Sequence, residues 1–245
     1  MTPPVFSIII PVYNRAWSVR RAVDSAIAFS NGNMRTEIIL IDDASIDNSV
    51  EIIEKLIEEK IDFPNVTFKF IRHAINKGVC GAKNTGAKAA SGTWLVFLDS
   101  DDELVKNTAS DVYKALIINE KYPLHFFKCI GENDLVESEA FNNFQLRNFG
   151  AYLKSGTDGE ALPVIKKVVF INHLYDEDLR GYESLSYLRI VKSHSFAVIN
   201  SMIVRRYHTS HIDRLSSREG MKRRYRDLSK GHCRVILEHR AAMSV

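Results

Sequence analysis

The first hundred residues alternate between short apolar runs and longer segments in which apolar residues recur every three or four positions. The apolar runs predict buried strands at residues 6–10, 37–41, 66–71 and 94–98. The intervening segments predict amphipathic helices, and the clearest of these covers residues 19–27. Alternating strands and helices with short connections are typical of a parallel sheet with right-handed crossovers.

After residue 104 the alternation weakens. The polar, glycine-bearing stretch at 132–159 is predicted to be loop-rich. Three helices and one strand are predicted in this half, at residues 108–119, 183–191, 221–239 and 124–130 respectively. We therefore expect two halves of one domain, at residues 1–104 and 105–215, followed by a basic helical tail at residues 216–245.

Polar side chains follow three of the predicted strands at the point where each strand ends. Tyr13 and Asn14 follow the first strand, Asp42 and Asp43 the second, and an acidic run beginning at Asp99 the fourth. In parallel sheets, ligands bind outside the carboxyl ends of the strands. The sequence therefore predicts a nucleotide-type site at this edge. Helix capping is the structural alternative for Asp42 and Asp43.

The acidic run places four carboxylates within five positions, those of Asp99, Asp101, Asp102 and Glu103. Crowding carboxylates at the end of a buried strand costs desolvation and mutual repulsion, and a hard divalent cation removes both costs. Mn²⁺ or Mg²⁺ suits such oxygen ligands and commonly shares its coordination with substrate phosphates. The run thus predicts a metal–diphosphate site. The alternative is a solvated acidic turn that caps the next helix.

The net charge of +3 is unevenly distributed. From Arg205 to the end the chain has 11 Lys and Arg against 4 Asp and Glu, so the preceding residues are mildly acidic. A basic tail on an acidic body favours an anionic partner surface, and we expect peripheral contact with an anionic membrane and no nucleic-acid partner. The alternative is a helix whose charged face is solvated.

The sequence predicts neither a membrane span nor a secreted protein. No apolar run approaches the ~20 residues of a membrane-spanning helix, and residues 1–4 do not resemble the start of a signal peptide. The cysteines, Cys80, Cys129 and Cys233, are scattered, which is typical of reduced thiols. We therefore predict a cytoplasmic protein whose basic tail contacts the inner face of the cell membrane.

Six short motifs are spaced along roughly the first hundred residues. They are SIIIPVYN at 7–14, ILIDDAS at 39–45, NKG at 76–78, AKN at 82–84, ASGTW at 90–94 and FLDSDD at 97–102. In this order they resemble the inverting glycosyltransferase family 2. The resemblance implies the GT-A fold, a Rossmann-like α/β/α sandwich with a mostly parallel central sheet and a divergent C-terminal half on the acceptor side. It also implies that residues 1–104 form the nucleotide-sugar-binding half and residues 105–215 the acceptor-binding and catalytic half of this domain.

The resemblance also implies which residues bind the nucleotide. Pro11 and Tyr13 would lie beside the nucleobase, and Asp43 of the Asp42–Asp43 pair would accept a hydrogen bond from a base N–H. Many relatives have arginine where Lys83 stands, and lysine keeps the positive charge but loses the bidentate fork. The remaining nucleotide-binding residues implied by the motifs are Gly78, Lys83, Asp99 and Ser100.

The implied metal ligands are the aspartates of the acidic run, Asp99, Asp101 and Asp102, with His208 or His211 reaching the metal from a later segment. Glu183 matches the family's later acidic motif, usually Glu-Asp, where the catalytic base resides. Here Ser184 replaces the aspartate, which leaves Glu183 as the base. Helix-start capping is the alternative role for Glu183, and rival candidates for the base lie just upstream at Asp176, Glu177 and Asp178.

The implied function is metal-dependent sugar transfer with inversion, from a UDP-sugar to a hydroxyl of a glycan or lipid-linked acceptor. Bacterial surface-polysaccharide synthesis is the setting expected for the family. One alternative is a sugar-nucleotide pyrophosphorylase, which normally carries a glycine-rich loop after the first strand, whereas residues 11–20 contain no glycine. Another is a non-catalytic module that binds a nucleotide sugar, although the intact acidic run favours an enzyme.

Overall fold

The computed structural model describes residues 3–32, 34–131, 144–157, 159–208, 220, 222 and 224–243. Within these residues the chain forms nine strands and eight helices. In chain order they are β1 (Phe6–Val12), α1 (Val19–Ser30), β2 (Thr36–Asp42), α2 (Ser49–Lys60), β3 (Val66–Arg72), α3 (Gly78–Ala89), β4 (Trp94–Phe97), β5 (Glu103–Leu104), α4 (Ala109–Ile118), β6 (Leu124–Ile130), β7 (Gln145–Asn148), α5 (Phe149–Ser155), β8 (Ala161–Lys166), α6 (Lys167–Phe170), α7 (Ser184–His194), β9 (Phe196–Arg206) and α8 (Tyr225–Met243).

All the described strands belong to one mixed sheet, with the order β3-β2-β1-β4-β8-β6-β9-β5 and β7 paired with β9. The first four strands of this order are parallel, so that Phe6 of β1 lies opposite both Thr36 and Trp94. β8 is antiparallel to both β4 and β6, while β6 and β9 are parallel. Strands from both halves of the chain therefore build one sheet, and the predicted α/β fold class is confirmed.

Helices cover both faces of the sheet. Ile8 and Ile10 of β1 pack with residues of α1, α2 and α4, whereas Ile9 packs with residues of α3, α5, α7 and α8. Because both faces are covered, successive residues of β1 and β2 are all buried, which explains the uninterrupted apolar runs in the sequence. The described part of the chain contains no helix that is both long enough and apolar enough to cross a bilayer.

A buried carboxylate holds the amino ends of the parallel strands together. Glu37 of β2 accepts hydrogen bonds from Ser7 of β1, from Ser91 and from the Gly92 N–H (2.8 Å), and it pairs with Lys69 of β3 (2.8 Å). Burial alone would raise the pKa of Glu37, but the bonds from Lys69, Ser7 and Ser91 outweigh it and lower the pKa to about 2. A Cβ at Gly92 would come within 2.9 Å of backbone, so the network also requires glycine there.

The second half differs from the sequence-based prediction. Residues 145–155 form β7 and α5 rather than loops, and β8, α6 and β9 were not predicted. Pro163 lies inside β8, and Asn200 and Ser201 interrupt the apolar pattern of β9, so neither segment reads as a strand by itself. Pairing with β4 and β6 overrides these local signals. Residues 132–143 of the predicted loop lie outside the described residues.

Candidate active site

A cleft of about 850 Å³ opens at the carboxyl ends of β1 and β4. This is the edge where parallel sheets bind ligands. The predicted site residues that line the cleft are Pro11, Tyr13, Asp43, Lys83, Asp99, Ser100, Asp101, Asp102, Glu183 and His208. The remaining two, Asp42 and Gly78, are not among its lining residues.

Hydrogen bonds join the turn after β1 to the turn after β2. Asn14 adopts a left-handed backbone (φ 53°), which asparagine tolerates better than most residues. Its N–H donates to Ser45 Oγ (3.0 Å), and its Oδ1 accepts from the Ile46 N–H (2.9 Å). Tyr13 next to it is 40% exposed, so its ring is accessible to a ligand. Contact of Tyr13 and Pro11 with a nucleobase stays a prediction.

Asp42 and Asp43 both accept hydrogen bonds from backbone within the protein. Asp42 accepts from the Ser45 N–H (3.3 Å), which closes the turn after β2. Asp43 Oδ1 contacts His73 Nδ1 (2.7 Å) and accepts from the Lys77 N–H (2.8 Å), and its Oδ2 accepts from the Gly78 N–H (2.8 Å). Asp43 therefore caps the beginning of α3, and Gly78 acts as its donor. Recognition of a nucleobase by Asp43 is a further role that stays a prediction.

The acidic run after β4 is held by cations from other elements. Lys83 Nζ of α3 lies 3.0 Å from Asp99 Oδ1. Arg205 at the end of β9 lies 3.5 Å from Asp102 Oδ2, and Asp102 Oδ1 accepts from the His208 N–H (3.2 Å). Burial raises the pKa of Asp102 to about 7; Arg205 opposes this rise, whereas repulsion from the other two aspartates, Asp99 and Asp101, adds to it. The raised pKa of Asp102 therefore reflects mainly its burial and, to a lesser extent, repulsion within the acidic run.

The charge and the oxygen ligands of the acidic run fit a hard divalent cation. Among the residues the structure describes, however, no three His, Cys, Asp or Glu side chains are gathered closely enough to hold one by themselves. Mg²⁺-type sites commonly use one or two carboxylates and take further oxygens from substrate phosphates, which this arrangement permits. His208 Nε2 contacts Glu103 Oε1 (2.6 Å), so its role as a ligand stays a prediction, and His211 lies outside the described residues.

Lys83 connects the acidic run to Glu183. Its Nζ lies 3.2 Å from Glu183 Oε1 as well as 3.0 Å from Asp99 Oδ1. Although burial alone would lower the pKa of Lys83, the carboxylates of Asp99 and Glu183 outweigh that effect and raise this pKa above its usual range. Glu183 stands at the start of α7, but its side chain makes no capping hydrogen bond there. Its carboxylate therefore faces the cleft instead of serving the helix.

The rival candidates for the base are engaged elsewhere. Asp176 binds Arg189 (2.6 Å) and Arg234 (2.6 Å), and Asp178 binds Arg234 (2.9 Å). Glu177 accepts from the side-chain amide of Asn84 (3.0 Å). None of these three carboxylates is among the lining residues of the described cleft, whereas Glu183 is.

Helix α8 and the residue before it hold the loop at residues 175–183, which leads to Glu183. Arg224, just before the helix, donates to the carbonyl oxygen of Gly181 (2.6 Å). Arg234 supplies the ion pairs to the loop carboxylates described above. Gly231 packs so closely on Tyr182 that a Cβ there would lie 2.7 Å from the ring. The loop is thus clamped between α3 and α8.

Several residues that line the cleft were missed by sequence reasoning, namely Arg15, Glu160, Arg180, Tyr187, Arg205 and Asp227. Arg15 directly follows the first motif and Arg180 precedes Glu183 by three positions, so proximity to a motif was a usable signal. Glu160 and Arg205 carried no such signal, because their positions depend on β8 and β9, which were not predicted.

Comparison with known proteins identifies the family. Residues 7–165 match the family described as Glycosyl transferase family 2. A Campylobacter jejuni relative, GalNAc(5)-diNAcBac-PP-undecaprenol beta-1,3-glucosyltransferase, is 28% identical over 201 residues, which cover 80% of this chain and 62% of the relative. The Escherichia coli enzyme UDP-Glc:alpha-D-GlcNAc-diphosphoundecaprenol beta-1,3-glucosyltransferase WfaP is 33% identical over 148 residues, 60% of this chain and 55% of the relative. The chain therefore spans less than two thirds of either relative.

Solved structures share the fold. S. aureus TarS 1–349 in complex with UDP-GlcNAc superposes with a TM-score of 0.71 at 19% identity, over 95% of this chain and 66% of that one. GalNAc-T7 with UDP, GalNAc and Mn²⁺ gives a TM-score of 0.63 at 18% identity, over 93% of this chain and 48% of that one. Identities this low show the fold alone, which is the GT-A fold. Since the family match covers more than half of its length, the chain belongs to glycosyl transferase family 2, a family of sugar-transferring enzymes.

Proposed function

We propose that the chain transfers a sugar, with inversion, from a UDP-sugar to a hydroxyl of a glycan or lipid-linked acceptor. The observation that carries the proposal is the contact from Asp99 through Lys83 to Glu183, which joins a donor-side carboxylate to the proposed base within one cleft. The two relatives are named for transfer onto undecaprenol-linked diphosphate acceptors. Those names support a lipid-linked acceptor, and we propose bacterial surface-polysaccharide synthesis as the setting.

Glu183 acts as the general base in this proposal. Lys83 holds Oε1 of Glu183, so Oε2 is the oxygen that can accept the proton of the acceptor hydroxyl. The hydroxyl oxygen attacks the anomeric carbon on the face opposite the leaving diphosphate, and the transition state has oxocarbenium character. The cleft holds donor and acceptor in line, which contributes much of the remaining rate.

A divalent cation, Mn²⁺ or Mg²⁺, would be held by Asp101 with its neighbours Asp99 and Asp102 and with His208, and it would neutralise charge on the leaving diphosphate. Two arginines of this chain hold the aspartates of that position. Arg15 Nε lies 3.8 Å from Asp101 Oδ2, and Arg205 limits the repulsion at Asp102.

Release of nucleoside diphosphate tests the function. We expect the protein to release UDP from at least one UDP-sugar in a donor panel containing Mn²⁺ and a bacterial lipid extract as acceptor. Formation of UTP from a UDP-sugar and pyrophosphate would instead identify a pyrophosphorylase. Tight UDP-sugar binding without any release would identify a non-catalytic module.

Replacing Asp101 by alanine should abolish the Mn²⁺-dependent part of UDP binding. The variant should remain folded, because it removes repulsion that raises the pKa of Asp102. Calorimetric titration of UDP with and without Mn²⁺ measures the effect. Asp111→Ala is the matched control, since Asp111 is an exposed aspartate on α4. The metal assignment is wrong if Asp101→Ala and the parent gain equally from Mn²⁺.

We also propose that α8 contacts an anionic membrane from the cytoplasmic side. Its exposed surface carries apolar Tyr225 (57% exposed), Ile236 (53%) and Leu237 (71%). The basic side chains Arg226, Lys230 and Arg240 are exposed on the same helix. The acidic residues of α8 do not belong to this exposed surface: Asp227 lines the cleft, and Glu238 binds Arg189 (2.6 Å). Apolar residues interleaved with cations are typical of interfacial helices.

Liposome co-sedimentation tests this contact. Each basic residue near the surface is worth about 1 kcal/mol, so replacing Arg226, Lys230 and Arg240 by glutamine should weaken binding to anionic vesicles more than about a hundredfold. Binding by the parent should fall with added salt. Glutamine at Lys55, Lys88 and Lys121, which are exposed on other elements, is the control of equal charge. Equal binding of the parent to neutral and anionic vesicles, or to neither, contradicts the proposal.

A further inference from the structure

Arg180 lies at the rim of the cleft, three residues before Glu183. Its side chain is exposed, and its aliphatic part packs beside the beginning of α3, where a Cβ on Gly78 would lie 3.8 Å from Arg180 Cγ. Within the described part of the chain, the Arg180 guanidinium has neither a hydrogen-bond partner nor an ion-pair partner. Packing of its aliphatic part holds Arg180 at the rim of the cleft, and its guanidinium remains available to a ligand.

The other Lys and Arg side chains that line the described cleft are already held by protein groups. Carboxylates hold Lys83 and Arg205, and backbone carbonyls hold Arg15 and Arg224. Of these five cations, Arg180 is therefore the one that an anionic ligand can use without breaking a contact among the described residues. A guanidinium presents two parallel N–H donors, a geometry that matches a phosphate group.

The position of Arg180 indicates which substrate carries that phosphate. Among the Lys and Arg residues that line the cleft, Lys83, Arg15 and Arg205 contact the acidic run, where the donor diphosphate is expected, and Arg180 makes no such contact. Arg180 instead belongs to the loop that ends at Glu183 and is clamped by α8, since Arg224 donates to the Arg180 carbonyl oxygen (3.3 Å). The acceptor hydroxyl would approach the same loop.

We propose that Arg180 binds a phosphate of the acceptor. This inference rests on the proposed function and specifies its acceptor as a phosphate-linked saccharide. Because Arg180 and Glu183 lie three residues apart and line the same cleft, one acceptor can place its phosphate at Arg180 and its hydroxyl at Glu183. Helix α8, which carries the exposed basic and apolar residues described above, packs on the same loop through Gly231 and Arg234, and this suits a phosphate that is attached to a lipid.

Binding of a short prenyl diphosphate tests the proposal. Farnesyl diphosphate, with farnesol as its phosphate-free counterpart, is titrated into protein saturated with UDP and Mn²⁺. We expect Arg180→Gln to weaken farnesyl diphosphate binding by about tenfold, the lower end for a hydrogen bond to a charged group. Arg180→Lys, which keeps the charge without the fork, should recover part of the loss. Arg72→Gln is the control, because it removes an exposed arginine that does not line the cleft. This variant should bind farnesyl diphosphate as tightly as the parent does.

The outcomes separate three cases. Weaker farnesyl diphosphate binding with unchanged UDP affinity and unchanged thermal midpoint supports an acceptor-phosphate site. A parallel loss of UDP affinity in Arg180→Gln assigns Arg180 to the donor diphosphate and overturns the inference, as does farnesyl diphosphate binding equal to the parent's. A parent protein that does not bind UDP at all overturns the proposed function, and the inference is lost with it.

Discussion

Replacing Glu183 by glutamine is expected to lower turnover by about 10²–10⁴-fold while UDP affinity stays nearly unchanged. Glutamine keeps the size of the side chain, but its amide cannot take the proton of the acceptor hydroxyl. Lys83 retains Asp99 as a partner, so the cation between the two sides of the cleft stays in place. Steady-state release of UDP at saturating donor and acceptor measures turnover, and calorimetry measures UDP affinity.

Glu177→Gln is the matched control for this experiment. Glu177 lies in the same loop and accepts a hydrogen bond from Asn84 (3.0 Å), but it does not line the cleft. Its variant should keep most of the parent's turnover. If Glu183→Gln also keeps most of its turnover, the base is a different carboxylate, and the contact between Lys83 and Glu183 has only a structural role.

Replacing Glu37 by glutamine is expected to lower the free energy of unfolding by about 1.5–3 kcal/mol at neutral pH, the range for hydrogen bonds to a charged group, because Glu37 is buried whereas Lys69 is partly exposed. The side chain of Glu37 is 1% exposed and accepts bonds from two further segments, Ser7 of β1 and Ser91–Gly92 before β4, in addition to Lys69. Glutamine leaves the Lys69 ammonium without its carboxylate and turns one acceptor into a donor that faces other donors. Urea unfolding at pH 7 measures the difference.

The difference in free energy of unfolding between the parent and Glu37→Gln should decrease at acidic pH. The pKa of Glu37 is lowered from 4.5 to about 2 in the folded state, so its contribution is complete above pH 4.5 and is lost as the pH falls toward 2. The parent and Glu37→Gln should therefore converge between these pH values. Glu120→Gln, at an exposed pair with Lys166, should cost no more than about 1 kcal/mol. A Glu37 variant that behaves like the Glu120 variant contradicts this account.

The donor side of the cleft could be predicted because its residues follow directly from strand ends. Asp43 and Asp99 stand where apolar runs stop, and parallel strands bring those ends to one edge. What the sequence did not reveal is how these carboxylates are used within the protein. The partners of Asp43 lie more than 30 residues away, at Lys77 and Gly78, and periodicity carries no information on such contacts.

The part of the cleft built by the second half of the chain was less predictable because it depends on strands with weak local patterns. Arg205 reaches Asp102 only through β9, where Asn200 breaks the apolar run. Glu183 was identified through the family resemblance, whereas its contact with Lys83 joins residues 100 positions apart. The resemblance therefore located the carboxylate, and only the fold showed which cation holds it.

Lys83 and Ser184 are both departures from the usual family pattern, and Lys83 contacts the residue next to Ser184. Lys83 takes the place of arginine, Ser184 takes the place of aspartate, and the adjacent Glu183 is the carboxylate that Lys83 binds. A larger planar guanidinium between Asp99 and Glu183 would force these carboxylates apart. The cation at position 83 therefore sets the spacing between the donor-side carboxylate and the proposed base, and Lys83→Arg alone is expected to disturb both sides of the cleft at once.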